Sequence, residues 1–182
     1  MTTVAPDTFR AFFGSIPTAV AVVTTVGGDG KPRGFTCNAF SAISPDPPLL
    51  LVCADRNSRT LPALLRRRAF AVHLLADDGE PLARVFAGRS PDKFAGVEWL
   101  PGEAAHGVPI LGRGVLAHAE CSLLRSVPAG DHRLLIGRME TARVLPRRPV
   151  LYQGGAFRAW EGLAGGGAAG PAEDRTQEGV QA

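Results

Sequence analysis

Residues 34–54 read GFTCNAFSAISPDPPLLLVCA, and this stretch gives the strongest indication of the fold. Its first part, residues 34–44, is typical of an extended strand that carries small polar side chains at positions 36, 38, 41 and 44. The prolines of residues 45–48 end that strand. The continuous apolar run from Leu49 to Ala54 then predicts a second strand, buried on both faces.

Further strands are predicted on both sides of this stretch. Residues 19–26 are rich in Val and Thr, and the glycines of residues 27–30 predict a turn that pairs them with residues 34–44. Later strands are predicted at residues 70–75, 114–127, 133–145 and 150–160. This order of strands favours an antiparallel sheet rather than alternating βαβ units, and no GxGxxG motif occurs in the chain.

Three short helices interrupt the strands. They are predicted at residues 7–14 with Asp7 as the cap, at residues 58–68 with Ser58 as the cap, and at residues 79–87. A loop rich in Gly and Pro follows from residue 88 to residue 109. The sequence therefore predicts a mainly β fold, a closed or partly closed barrel with helices outside it, over residues 1–161. Residues 162–182 are predicted to be a disordered tail.

Composition and charge exclude several classes of protein. The chain has 182 residues, of which 45% are apolar and 20% charged, so one globular domain is expected and wholesale disorder is excluded. The net charge is only +3, and the arginines are scattered without interleaved aromatic residues, which argues against nucleic-acid binding. No segment has the length of a membrane span. Three widely spaced cysteines without a CxxC pair predict neither zinc nor a disulfide, and we expect a cytoplasmic protein.

Four polar segments are candidates for a ligand site. Residues 36–39 form a polar strand whose backbone could meet a flat polar ring. Residues 55–60 combine hydroxyls and arginines before a helix, which suits a phosphate. Residues 86–94 place basic and aromatic side chains together, and His132 follows a turn. Each segment also fits an ordinary structural role: a half-exposed strand, a capped helix, a surface loop and a turn.

Taken in order, these segments resemble the flavin reductase-like family, the small reductase components of two-component flavin-dependent monooxygenases. The resemblance spans about residues 7–160. It rests on TAVAVVT (18–24), GFTCNAF (34–40), SPDPPL (44–49), NSRT (57–60), FAG with KF (86–88, 93–94), GDH (130–132), and PVLY with GAF (149–152, 155–157).

The resemblance implies a split β-barrel that dimerises, binds FAD or FMN, and uses NADH, with NADPH possible. Free reduced flavin would then diffuse to a partner monooxygenase. The implied flavin-binding residues are Thr36, Cys37, Asn38, Ala39, Asn57, Ser58, Arg59, Thr60, Phe86, Ala87, Arg89, Lys93 and Phe94, and His132 would meet the nicotinamide. Hydride would pass directly between the cofactors, so no catalytic side chain is expected.

Three residues depart from the family pattern. Cys37 stands where Ala or Val is common, Ala42 where Ser is common, and Phe157 where Tyr is common. If the usual hydroxyl at position 42 holds flavin, its loss weakens binding here. Two alternatives remain on the same fold: a flavin carrier or sensor without reductase activity, and an oxidase that keeps FMN tightly bound.

Overall fold

The computed structural model describes residues 3–160 and residue 162. Within these residues the chain forms three helices, α1 (Pro6–Gly14), α2 (Leu61–Arg67) and α3 (Glu80–Ala87). The strands are β1 (Thr18–Ala19), β2 (Ala21–Val26), β3 (Pro32–Cys37), β4 (Phe40–Pro45), β5 (Pro48–Asp55), β6 (Ala69–Leu75), β7 (Trp99–Pro101), β8 (Pro109–Leu111), β9 (Val115–Ala129), β10 (His132–Val144), β11 (Val150–Gln153) and β12 (Ala156–Ala159). The predicted mainly β class is confirmed.

Seven strands form one antiparallel sheet in the order β3-β2-β6-β9-β10-β5-β4. The two edge strands, β3 and β4, are consecutive in the chain, with only Asn38 and Ala39 between them. The sheet therefore curls until its two edges approach each other at these residues. The Cys53 N–H of β5 donates to the Ala39 carbonyl at 2.8 Å and continues the β4–β5 ladder by one residue. Within the described residues no ladder joins β3 to β4, so the sheet is not closed at this seam, which agrees with the predicted split barrel.

The core lies on both faces of β2, because side chains alternate along a strand. Val22 packs on one face with Phe86 of α3, and Val23 packs on the other face with Leu64 of α2. All four side chains are fully buried. Burying such a side chain contributes roughly 1.5–3 kcal/mol, so the two helices are held on opposite faces of the sheet by ordinary apolar packing.

The run from Leu49 to Ala54 is not buried on both faces, which corrects the prediction. Val52 and Ala54 of β5 are buried, whereas Leu49 and Leu51 are half-buried. The reason is that helices α2 and α3 pack on the two faces of β2, near the other end of the sheet, and leave one face of β5 uncovered. One face of β5 enters the core, and the other lines an open apolar groove.

Local elements differ from the prediction at several ends. The strand predicted over 34–44 is divided at Asn38–Ala39, and the segment predicted over 150–160 is a hairpin of β11 and β12. Ala5 rather than Asp7 precedes α1, and Thr60 rather than Ser58 precedes α2. The loop predicted at 88–109 contains the short strand β7, which pairs with β8 at its end.

The tail predicted for residues 162–182 lies outside the described residues, except for Gly162. Among the helices that the structure describes, none is both long and apolar enough to cross a membrane.

Candidate functional site

A cavity of about 920 Å³ opens beside the free edge of β3. Its walls are that edge, the turn at residues 55–60 after β5, and the end of α3 with the loop after it, residues 86–94. His132, at the start of β10, completes the lining. The volume lies within the range of ordinary ligand pockets.

All fourteen residues that the sequence nominated line this one cavity: Thr36, Cys37, Asn38, Ala39, Asn57, Ser58, Arg59, Thr60, Phe86, Ala87, Arg89, Lys93, Phe94 and His132. The lining also includes Arg33, Gly34 and Asp55, which were not nominated. Asp55 was within reach of sequence reasoning because it heads the polar turn. Arg33 gave no signal of its own, and Gly34 entered only as the first residue of the GFTCNAF motif.

The edge of β3 presents its backbone to the cavity. Among the strands that the structure describes, β3 pairs only with β2, and the Gly34 carbonyl accepts bonds from Thr60 and Lys93 on the other side. The N–H and C=O groups of every second residue point the same way in an antiparallel strand. The Thr36 backbone therefore faces the cavity as Gly34 does, and it can pair with the edge of a flat polar ring.

Two threonine hydroxyls are used inside the protein. Thr36 Oγ1 donates to the Ala83 carbonyl of α3 at 2.6 Å, and Thr60 Oγ1 donates to the Gly34 carbonyl at 3.1 Å. A hydroxyl has one proton to donate. The sequence predicted that the Thr60 hydroxyl would donate to a phosphate. In the structure it donates instead to the Gly34 carbonyl and connects the turn to β3.

The turn at residues 55–60 is braced from both sides. Asp55 Oδ1 accepts the Asn57 N–H at 2.7 Å, which shapes the turn. Arg59 donates to the carbonyls of Arg89 and Ser90, so it ties the turn to the loop after α3. Arg56 lies outside the cavity lining, and it donates to the Gly130 carbonyl at 3.3 Å.

Lys93 bridges two walls. Its Nζ donates to the Phe86 carbonyl at 2.6 Å and to the Gly34 carbonyl at 3.3 Å. Burial lowers the pKa of Lys93, and the nearby Arg59 charge lowers it further. The Phe86 ring is fully buried and meets the Phe94 ring edge-on, with 5.0 Å between centroids.

The charge of the cavity favours an anion. Four cationic side chains line it, from Arg33, Arg59, Arg89 and Lys93, against the single carboxylate of Asp55. Among the described residues, the Arg89 side chain forms no ion pair, so its guanidinium can meet a phosphate.

His132 stands at the mouth of the cavity, opposite Asp55 in the β10–β5 ladder. Its Nδ1 lies 2.7 Å from Asp131 Oδ1, and this hydrogen bond lowers the pKa of Asp131. Because Nδ1 is engaged, Nε2 is the ring nitrogen left for a second partner.

Cys37 has the properties of a packed thiol rather than a nucleophile. Its Sγ contacts the carbonyls of Ala39 at 3.4 Å and Cys53 at 3.5 Å. Burial raises its pKa to about 11, and the neighbouring Cys53 adds to the rise. The protonated form is therefore the one present near neutral pH, and thiolate chemistry is disfavoured.

The other two departures from the family pattern lie outside the cavity lining. Ala42, on β4, lines the apolar groove, so within this chain a hydroxyl there would not enter the cavity. Phe157 packs against Tyr152 with 5.0 Å between centroids and lies under the Arg84 guanidinium at 5.2 Å.

Comparison with known proteins identifies close relatives. Residues 13–161 match the protein family described as "Flavin reductase like domain". A "Flavin reductase (NADH)" from Kitasatospora aureofaciens is 44% identical over 156 residues, which cover 85% of this chain and 81% of the relative. The reductase subunit HsaB of a flavin-dependent monooxygenase from Rhodococcus jostii (strain RHA1) is 39% identical over 157 residues, 86% of this chain and 78% of the relative.

One solved structure of similar fold contains ligands. It is the NADH:FAD oxidoreductase SgcE6 of Streptomyces globisporus C-1027, in complex with NAD and FAD fragments. Its TM-score to this chain is 0.79 at 37% identity, and the match covers 88% of this chain and 97% of that one.

Proposed function

Because the chain belongs to the flavin reductase-like domain family, we propose that it is an NADH-dependent FAD reductase that supplies reduced flavin to a partner monooxygenase. The observation that carries the proposal is the single cavity in which all fourteen nominated residues meet. Close relatives named as NADH-dependent flavin reductases support the choice of NADH and FAD.

The cavity fits a flavin by the chemistry of its walls. The free edge of β3 offers backbone donors and acceptors where a ring would lie, and the glycine at position 34 lets this edge lie against the Phe86 ring. A Cβ at Gly34 would stand 2.7 Å from the Phe86 ring. Two other walls, the turn at residues 55–60 and the loop after α3, contribute Arg59 and Arg89, whose guanidinium groups suit the phosphates.

The role of the protein in the reaction is to bind the flavin and NADH and to orient them relative to each other. Bound NADH would supply a hydride and bound flavin would accept it. The edge of β3 holds the ring in place, and its N–H groups can stabilise the negative charge that develops there. We propose that His132 Nε2 hydrogen-bonds the nicotinamide end of NADH, since it stands at the cavity mouth. With Cys37 held as a thiol, no nucleophilic side chain is required.

The second partner that we propose is another copy of this chain. An apolar groove lies along β4, β5, β6, β9 and β10, and it exposes Ile43 and Val144 at its rim. Exposed apolar patches of this kind mark interaction sites. β4 begins directly after cavity residues Asn38 and Ala39, so a symmetric partner in the groove would also stand beside the open side of the cavity. A cytoplasmic location, with three free thiols, agrees with this role.

The testing experiment follows NADH oxidation at 340 nm with purified protein and no added flavin, FMN or FAD. We expect turnover that depends on added flavin and is faster with FAD. A protein that retains FMN and does not oxidise NADH would favour the tightly bound oxidase. A protein that binds flavin reversibly without turnover would favour a carrier or sensor.

A further inference from the structure

We propose that Lys93 is a positioning residue, which fixes the edge of β3 against the end of α3 so that the flavin ring meets NADH in a reactive geometry. Thr60 secures the same edge. The inference rests on the proposed function, because it takes a flavin ring as the ligand of that edge.

The first observation is what Lys93 contacts. Its ammonium donates to the Phe86 carbonyl, near the end of α3, and to the Gly34 carbonyl of β3. An ammonium has three protons to donate, and two of them are directed at the protein itself. The position of Lys93 is therefore set by two backbone carbonyls whether or not a phosphate is bound.

The second observation is the close packing at the same point. Gly34 lies against the Phe86 ring, and an added Cβ would also come within 3.0 Å of the Val23 carbonyl. The Gly34 carbonyl accepts a second bond, from Thr60 Oγ1. The peptide group of Gly34 is thus held at three points on an otherwise free strand edge. It packs against the Phe86 ring, and its carbonyl accepts hydrogen bonds from the Lys93 ammonium and the Thr60 hydroxyl.

This peptide group controls where the ring lies. Thr36 is two residues further along the same edge, a distance of about 6.6 Å, and its backbone faces the cavity. Thr36 Oγ1 holds α3 as well, through the Ala83 carbonyl. A shift of β3 at Gly34 would carry the Thr36 backbone with it and move the ring against the nicotinamide. Displacements on the order of 1 Å can lower a rate about a hundredfold.

The competing role is that of a simple phosphate ligand, and Arg89 provides the comparison. Arg89 lines the cavity with its side chain exposed and outside any ion pair of the described residues. Removing a phosphate ligand weakens binding but leaves the ring correctly placed once flavin saturates the site. Removing a positioning residue lowers the rate at saturation.

The experiment measures kcat and the KM for FAD of Lys93→Met, Arg89→Ala and the wild-type protein. It also records the visible absorption spectrum of the FAD-saturated proteins, which reports the surroundings of the ring. Lys31→Met is the matched control, because Lys31 is the other lysine of the chain and lies exposed in the β2–β3 turn. Thermal melts establish that each variant is folded at the assay temperature.

For Lys93→Met we expect kcat at saturating FAD and NADH to fall about tenfold or more, with an altered spectrum of bound FAD. Arg89→Ala should raise the KM for FAD and leave kcat and the spectrum near the wild-type values. The positioning role is overturned if Lys93→Met raises only the KM, or if it changes neither constant.

A second pair of variants covers the case in which Lys93→Met does not fold. Thr60→Val removes the hydroxyl that reaches Gly34 and should lower kcat at saturation, whereas Thr60→Ser keeps the hydroxyl and should restore it. A kcat of Thr60→Val equal to wild type would contradict the role of this edge. Failure of the wild-type protein to bind or reduce any flavin would instead refute the proposed function.

Discussion

His73 lies at the centre of the sheet and makes a pH-dependent contribution to stability that can be isolated by one substitution. The side chain is fully buried on β6. Its Nδ1 lies 3.1 Å from the Val22 carbonyl, and its Nε2 lies 3.1 Å from the Leu111 N–H. The first partner requires a donor and the second an acceptor, so the ring is neutral with its proton on Nδ1. Burial, aided by the charge of His118, lowers the pKa of His73 to about 3.

The sign of the effect follows from the protons bound in each state. Between pH 6.5 and pH 3 the unfolded chain holds a proton on this histidine and the folded chain does not, because the unfolded pKa is about 6.5. Stability is therefore complete above pH 6.5 and is lost as the pH falls below it, by about 1.4 kcal/mol per pH unit. Between pH 7 and pH 5 the loss from His73 alone is about 2 kcal/mol.

The substitution His73→Gln removes the titration but keeps one N–H donor and one carbonyl acceptor. We expect urea denaturation at pH 7 and pH 5 to show that wild-type protein loses about 2 kcal/mol more stability than His73→Gln over this interval. His118, whose pKa burial also lowers, is present in both proteins and cancels. His106→Gln, at an exposed histidine, is the control and should behave like wild type. An equal loss in wild type and His73→Gln would refute the assignment of a neutral buried ring.

Three further predictions concern the cavity and the groove. Gly34→Ala places a Cβ 2.7 Å from the rigid Phe86 ring, which forces the edge of β3 to shift. We therefore expect the affinity for FAD to fall on the order of tenfold in a fluorescence titration. An unaltered affinity would mean that the edge of β3 does not contact flavin. His132→Ala should raise the KM for NADH severalfold and leave FAD affinity nearly unchanged; steady-state kinetics with an unchanged NADH constant would remove His132 from the nicotinamide site. Ile43→Arg places a charge in the apolar groove and should yield monomers by light scattering. The control Leu100→Arg introduces the same charge at an exposed leucine of β7 and should leave the mass equal to that of the wild-type protein. A wild-type protein that is itself a monomer would contradict the proposed dimer.

The candidate site was largely predictable because its residues cluster in short segments next to strand ends. The turn at residues 55–60 and the loop at residues 86–94 each carry several polar residues within a few positions, which is a local signal. The contribution of Gly34 to the cavity wall could not be predicted from the sequence. Its importance comes from contact with Phe86, Thr60 and Lys93, which lie between 26 and 59 positions away in the chain.

The hydrogen-bond partners of the cavity side chains could not be predicted from the sequence either. A threonine beside a ligand segment is equally able to donate to a phosphate or to a carbonyl, and only the packing of α3 and the turn against β3 assigns Thr36 and Thr60 to carbonyls. The prediction that residues 49–54 are buried on both faces was wrong for a similar reason. An apolar run predicts a strand, but the number of faces that it buries depends on which elements pack above and below it. Helices α2 and α3 cover the two faces of β2, whereas one face of β5 lines the open groove.

The sequence by itself determined the class of fold, the antiparallel pairing of residues 19–26 with residues 34–44, and the segments that supply the cavity. The first two follow from hydrophobic periodicity and turn chemistry, which act over a few residues, and the cavity segments follow from short polar motifs and from the family resemblance. The tertiary structure alone decided where the barrel splits, which face of β5 is open, and which polar groups of the cavity hold the protein together. Those outcomes depend on contacts between residues far apart in the chain, and such contacts exist only once the sheet has curled.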